Sequence, residues 1–162
     1  MSLNQSKTTL RKCYHDSELL ARALDKVCIQ LDDKYDINNG GCCYIAYLVC
    51  KLLKQDGFNP KLMIYDFELD DNINSINDLY FAHNHYCIKL GNVTINESDF
   101  DDLESVELDK IQPIDILKHY QDETWNNEYR TSNNAKVAQI LRNKYFGIKS
   151  NIRKRRSKNK GK

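Results

Sequence analysis

A chain of 162 residues is long enough for one domain with its own core and short for two. Its 41% hydrophobic fraction can build that core, and no run of about 18 apolar residues offers a membrane-spanning helix. The net charge of +1 hides an asymmetry: eight cations and no acid lie between Lys149 and Lys162, leaving the first 148 residues at −7, so a uniformly basic binding domain is excluded.

The N-terminus, Met1 to Lys7, lacks the apolar segment of a secretion signal, so a cytoplasmic protein is expected and its six cysteines should remain thiols. Their spacing contains no C-x-x-C pair and no regular framework, and free cysteines pack as small hydrophobes. The richness in Asn, Asp, Lys, Ile and Tyr with only two prolines is what AT-rich coding gives, as in phages, other viruses or low-GC bacteria.

Residues 1–15 carry little pattern and are expected to be flexible ahead of a single α+β domain spanning 16–148. Asp16-Ser17-Glu18 opens a helix whose Leu19, Leu20, Ala23, Leu24, Val27, Cys28 and Leu31 recur at helical spacing. A loop follows from Asp32 to Gly41. Cys42 to Gln55 predicts the most apolar helix of the chain, central and buried, closed by Asp56-Gly57. Lys61 to Phe67 reads as a strand and Glu68 to Asp78 as a polar loop. Tyr80 to Leu90 and Val93 to Asn96, joined by Gly91-Asn92, predict a β-hairpin. Helices are expected near Asp99–Leu108, near Pro113–Gln121, and from Ser132 or Asn133 to about Tyr145. The basic stretch 149–162 is low in complexity and is expected to be a disordered tail.

Three features of this layout could carry chemistry. Asn39-Gly40-Gly41-Cys42 stands at the start of the buried helix, where free N–H groups and the helix dipole stabilise a thiolate. The glycines allow a tight turn, and N–H groups there, with Asn39 or Asn38 beside them, can hold an oxyanion. His85 lies in the first strand of the hairpin and Asn96 at the end of the second, eleven residues on, so antiparallel pairing can bring them together as base and orienting group. Cys43 is the alternate nucleophile, and Asp99 is the nearest acid to stand in for Asn96.

Gly41-Cys42-Cys43-Tyr44-Ile45-Ala46-Tyr47-Leu48 with Leu52-Leu53, and His85 to Asn96 after it, resemble the nucleophile-helix and histidine-strand blocks of papain-like and transglutaminase-like thiol enzymes. The resemblance covers roughly residues 38–99. It implies a papain-like core, a nucleophile helix packed on a small antiparallel sheet with further C-terminal helices. It also implies a Cys42, His85, Asn96 (or Asp99) triad acting on an amide, isopeptide or thioester carbonyl of a protein or peptide substrate, with no cofactor. No tryptophan or glutamine stands before the nucleophile as it commonly does in such enzymes.

Blander readings stand beside these. Cys42 and Cys43 also fit as filler at the crowded start of a core helix. His83, His85 and Cys87 alternate on one strand face, which admits zinc with Cys42 or Cys43, although closely spaced ligand pairs are missing. The acids Asp99, Asp101, Asp102 and Glu104 fit a solvated face or a dock for the tail. Arg153, Lys154, Arg155 and Arg156 can neutralise phosphates without reading sequence, so a non-catalytic structural or binding protein, such as a virion component contacting nucleic acid, is the alternative to the enzyme.

Overall fold

The computed structural model describes residues 3–38, 41–65, 85–97, 105–107 and 131–161. Their elements in chain order are α1 (Leu3–Tyr35), α2 (Cys42–Gln55), β1 (Lys61–Tyr65), β2 (His85–Leu90), β3 (Val93–Ile95), β4 (Ser105–Glu107) and α3 (Thr131–Lys160). The strands form one antiparallel sheet in the order β3-β2-β1-β4. The architecture is α+β.

Strand alternation sorts the sheet into two faces. Leu62 and Ile64 of β1 stand opposite Ile88 and Tyr86 of β2, and Ile88 and Leu90 stand opposite Ile95 and Val93 of β3. All of these are buried and join the main core with the apolar stripes of the three helices. The α2 helix lies against β2, α1 lies against β3, and α3 packs on α1 and α2. Met63, Cys87 and His85 occupy the opposite face, buried but outside that core cluster.

The α2 bounds agree with the sequence. After Gln55 the Gly57 N–H donates to the Lys54 carbonyl and the Phe58 N–H to the Leu53 carbonyl, with Gly57 at φ +82, a left-handed cap that stops the helix. Gly91 (φ +60) turns the β2–β3 hairpin where it was expected.

Three elements differ from expectation. Helix α1 starts at Leu3 rather than near Asp16, because no Pro or Gly interrupts residues 3–15. Ser105–Glu107 is strand rather than part of an acidic helix: it pairs with the β1 edge, with Val106 opposite Ile64, and the pairing overrides local propensity. The last helix does not end near Tyr145; it runs to Lys160 through the stretch expected to be disordered. Lys, Arg and Asn there meet no proline, and Ile148 and Ile152 continue the apolar stripe of Val137, Leu141 and Tyr145 onto the core. The expected loop at Glu68–Asp78, the start of the hairpin before His85 and the helix at Pro113–Gln121 lie outside the described residues.

Candidate functional site

The corner where α1 ends, α2 begins and the hairpin closes is organised by Asn96. It leaves β3 in the left-handed conformation (φ 63), which Asn tolerates better than most side chains. Turned this way, it bonds to three elements at once. Its N–H donates to Asp25 Oδ1 on α1 (2.8 Å). Its side-chain amide exchanges two hydrogen bonds with that of Asn38, at 2.9 and 3.2 Å. Its carbonyl accepts from His85 Nε2 at 2.5 Å.

Asn38 is fixed in turn by its own N–H, which donates to Asp32 Oδ1 (2.8 Å). The chain then closes tightly into α2. A Cβ on Gly41 would stand 2.2 Å from the Ile37 carbonyl oxygen, so only glycine permits this turn. The Gly41 carbonyl accepts the first helical bond, from Ile45 N–H (3.1 Å), and Gly41 offers no side-chain cap. Cys42 is thus the first residue of a helix whose N-cap, Gly41, makes no side-chain cap bond and whose first turn holds no acid. Cys42 is 6% exposed.

His85 is 5% exposed. Burial lowers its pKa, and the Asn96 carbonyl and the charges of Asp32 and Glu97 only partly offset this, so the ring is neutral at pH 7. A carbonyl can only accept, so the neutral ring carries its proton on Nε2 and its lone pair on Nδ1. Burial pushes Cys28 far up, with Asp25 and Asp32 adding to the effect, and pushes Cys50 up to about 11.

His85 and Asn96, expected to meet across the hairpin, are joined. The atom that serves the histidine is the main-chain carbonyl of Asn96; the side-chain amide, expected to orient the ring, is bonded to Asn38. Cys42 sits four residues beyond Asn38, past the Gly41 turn, and is buried within the main core cluster, whereas His85 lies on the other face of the sheet, outside that cluster. Cys87 shares the His85 face, its Sγ 3.9 Å from the Met63 carbonyl. Asn39, Asp99, His83 and the side chain of Cys43 lie outside the described residues. Arg153, Lys154, Arg155 and Arg156 are exposed on α3. Among the described residues no three His, Cys, Asp or Glu side chains gather as metal ligands would.

Sequence reasoning missed Asp25 and Asp32, which hold the corner from α1. A signal was present: Asp25, Cys28 and Asp32, spaced three and four residues apart, put two carboxylates on the stripe of an otherwise apolar helix face.

Comparison with family models, curated proteins and solved structures returns no match. No helix among the described residues is long and apolar enough to cross a membrane.

Proposed function

We propose that this chain is a thiol-dependent hydrolase or acyl transferase with a papain-like (transglutaminase-like) core, acting on an amide, isopeptide or thioester carbonyl of a protein or peptide. Cys42 is the nucleophile, His85 the base, and Asn96 the group that positions His85; Cys43 and Asp99 are the alternates for the first and last roles. The observation that carries the reading is the continuous bonded path from His85 through Asn96 to Asn38, which ties the imidazole to the turn that delivers Cys42.

In this mechanism His85 Nδ1 takes the proton of the Cys42 thiol while Nε2–H stays on the Asn96 carbonyl, which stabilises the imidazolium that forms. The thiolate attacks the substrate carbonyl carbon, and N–H groups at Gly41 and the first turn of α2 receive the oxyanion. The imidazolium then returns its proton to the departing amine or thiol, leaving a thioester on Cys42. Water, or an acceptor amine, deprotonated by the same Nδ1, releases the acyl group.

Alkylation by iodoacetamide at pH 7, mapped by mass spectrometry, tests this. Cys42 should react at least about tenfold faster than Cys28 and Cys50, and His85→Ala should remove the difference. Cys42 labelling no faster than those two would end the enzymatic reading.

The second reading is a non-catalytic binding protein, and helix α3 is the observation that favours it. Its 30 residues hold ten Lys or Arg and no acid, and its outward positions Lys154, Arg155 and Lys158 are exposed. Such a rod can follow the phosphates of a nucleic acid without reading bases. Fluorescence anisotropy with duplex DNA should give a steep salt dependence, and the triple variant K154Q/R155Q/K158Q should reduce the slope of log K against log salt by about 2 to 3. An unchanged slope would remove α3 as the contact.

A further inference from the structure

A groove of about 200 Å³ opens between α1, α3 and the C-terminal cap of α2, lined by Asp16, Leu20, Asp56, Phe58, Ile152 and three cations of α3, Lys149, Arg153 and Arg156. It lies at the opposite end of α2 from Cys42, about 20 Å away at 1.5 Å per residue, and is independent of the reading above.

The three cations fall at i, i+4 and i+7, so they share one face of α3. Two of them answer the two carboxylates of the groove. Lys149 Nζ lies 2.5 Å from Asp56 Oδ2, and Arg156 pairs with Asp16. Tyr145, buried in the core, donates its O–H to the same Asp56 oxygen and fixes the carboxylate in place. Burial tends to raise the Asp56 carboxyl, but the bonds from Lys149 and Tyr145 and the charges of Lys149 and Arg153 outweigh it and hold it below the usual carboxylate range. Asp56 is therefore ionised, both acids are paired with a cation, and among the described lining residues Arg153, one turn from each paired cation, is a third cation beside two carboxylates. Leu20, Phe58 and Ile152 supply an apolar wall next to it.

We infer that this groove is a binding site for a small organic carboxylate: Arg153 takes the carboxylate head, and the wall of Leu20, Phe58 and Ile152 takes a short apolar body. A guanidinium offers two parallel N–H donors to such a head. A phosphate monoester, at close to two negative charges, fits less well, since it brings an uncompensated charge beside Asp16 and Asp56. The small volume suits a body of the size of benzoate rather than a long chain.

The test is calorimetric titration of the full chain with sodium benzoate, acetate, benzyl alcohol and inorganic phosphate. Benzoate should bind saturably with one site per chain, at least about tenfold tighter than acetate, which lacks the body, than benzyl alcohol, which lacks the charge, and than phosphate. R153Q should weaken benzoate at least about tenfold, whereas K154Q, the neighbouring cation on the outward face, should bind it as the parent does. Benzoate binding no tighter than acetate or phosphate, unchanged binding by R153Q, or equal losses in R153Q and K154Q would each overturn the assignment. Because every arm reads binding at the groove, its failure leaves the Cys42 chemistry untouched, and loss of Cys42 reactivity leaves it standing.

Discussion

Gly41 and Asn96 each occupy a backbone position that few other residues could fill, and the corner at the head of α2 depends on both. At Gly41 the obstacle is a main-chain oxygen, that of Ile37, 2.2 Å from where a Cβ would stand, so no side-chain rotation relieves it. Gly41→Ala should therefore destabilise the fold by about 1–3 kcal/mol, read as a lower urea midpoint with unchanged slope. At Asn96 the left-handed backbone and the amide separate by substitution. Asn96→Gly keeps the conformation and the carbonyl that His85 uses but loses the Asn38 pair; Asn96→Ala loses both, and should be less stable than the glycine variant by about 1 kcal/mol. If the main-chain carbonyl positions the ring, iodoacetamide should label Cys42 in Asn96→Gly within about threefold of the parent rate. A loss as large as that of His85→Ala would assign the positioning to the side-chain amide instead. That His85 and Asn96 meet could be read from the sequence, since an antiparallel hairpin with a two-residue turn brings residues eleven apart within reach. Which atom of Asn96 meets the ring could not: that follows from its left-handed φ and from Asp25 and Asn38, which lie 71 and 58 residues away in the chain.

Among the elements, those legible in the sequence carry their own local stop signals. The α2 helix is bounded by glycine at its head and by Asp56-Gly57 at its foot, and the hairpin by Gly91-Asn92. At the α2 foot the signal is conformational alone, because a Cβ on Gly57 would touch nothing while its φ is +82. Gly57→Ala should cost about 1 kcal/mol, less than Gly41→Ala, and the order of the two urea midpoints checks it. Strand β4 and the second half of α3 are specified by partners rather than by their own residues. Ser105–Glu107 has no strand pattern until it meets the β1 edge. The run from Lys149 to Lys160 looks unstructured by charge content, yet Ile152 packs on the core while Lys149 and Arg156 pair with Asp56 and Asp16. Ser150→Pro, in the exposed interior of that helix, should lower stability by about 3 kcal/mol and reduce ellipticity at 222 nm, whereas Ser150→Ala should change neither downward. Ellipticity unaffected by the proline would mean that 149–160 contributes no helix.

Across the whole molecule, charge is divided between an acidic body and an acid-free helix, and the points where they meet make stability depend on pH in two separate windows. The first belongs to His85. Its folded pKa is lowered, mainly by burial, so below the ordinary histidine value of about 6.5 the unfolded chain binds a proton that the folded chain refuses. Stability should be level above that value and fall as the pH drops beneath it. The second belongs to Asp56, whose folded pKa lies below the ordinary carboxylate value of about 3.9 through Lys149, Tyr145 and Arg153. Its contribution is present above that value and is lost as the pH falls through the lower, folded one. Urea midpoints from pH 3 to 8 should therefore decline in two stages. His85→Gln should flatten the upper stage and leave the lower, and Asp56→Asn should do the reverse, at some cost to stability at neutral pH because Lys149 loses its partner. The upper stage bears on the proposed chemistry too: at the lowered, folded pKa, where that window ends, the folded ring itself takes a proton on Nδ1, the nitrogen that the proposed mechanism needs vacant to accept the Cys42 proton. Cys42 labelling should then fall at the acid end of the window in which His85→Gln flattens the midpoint curve. Labelling that fell in that window equally in the parent and in His85→Gln would detach the imidazole from the thiol while leaving its effect on folding intact.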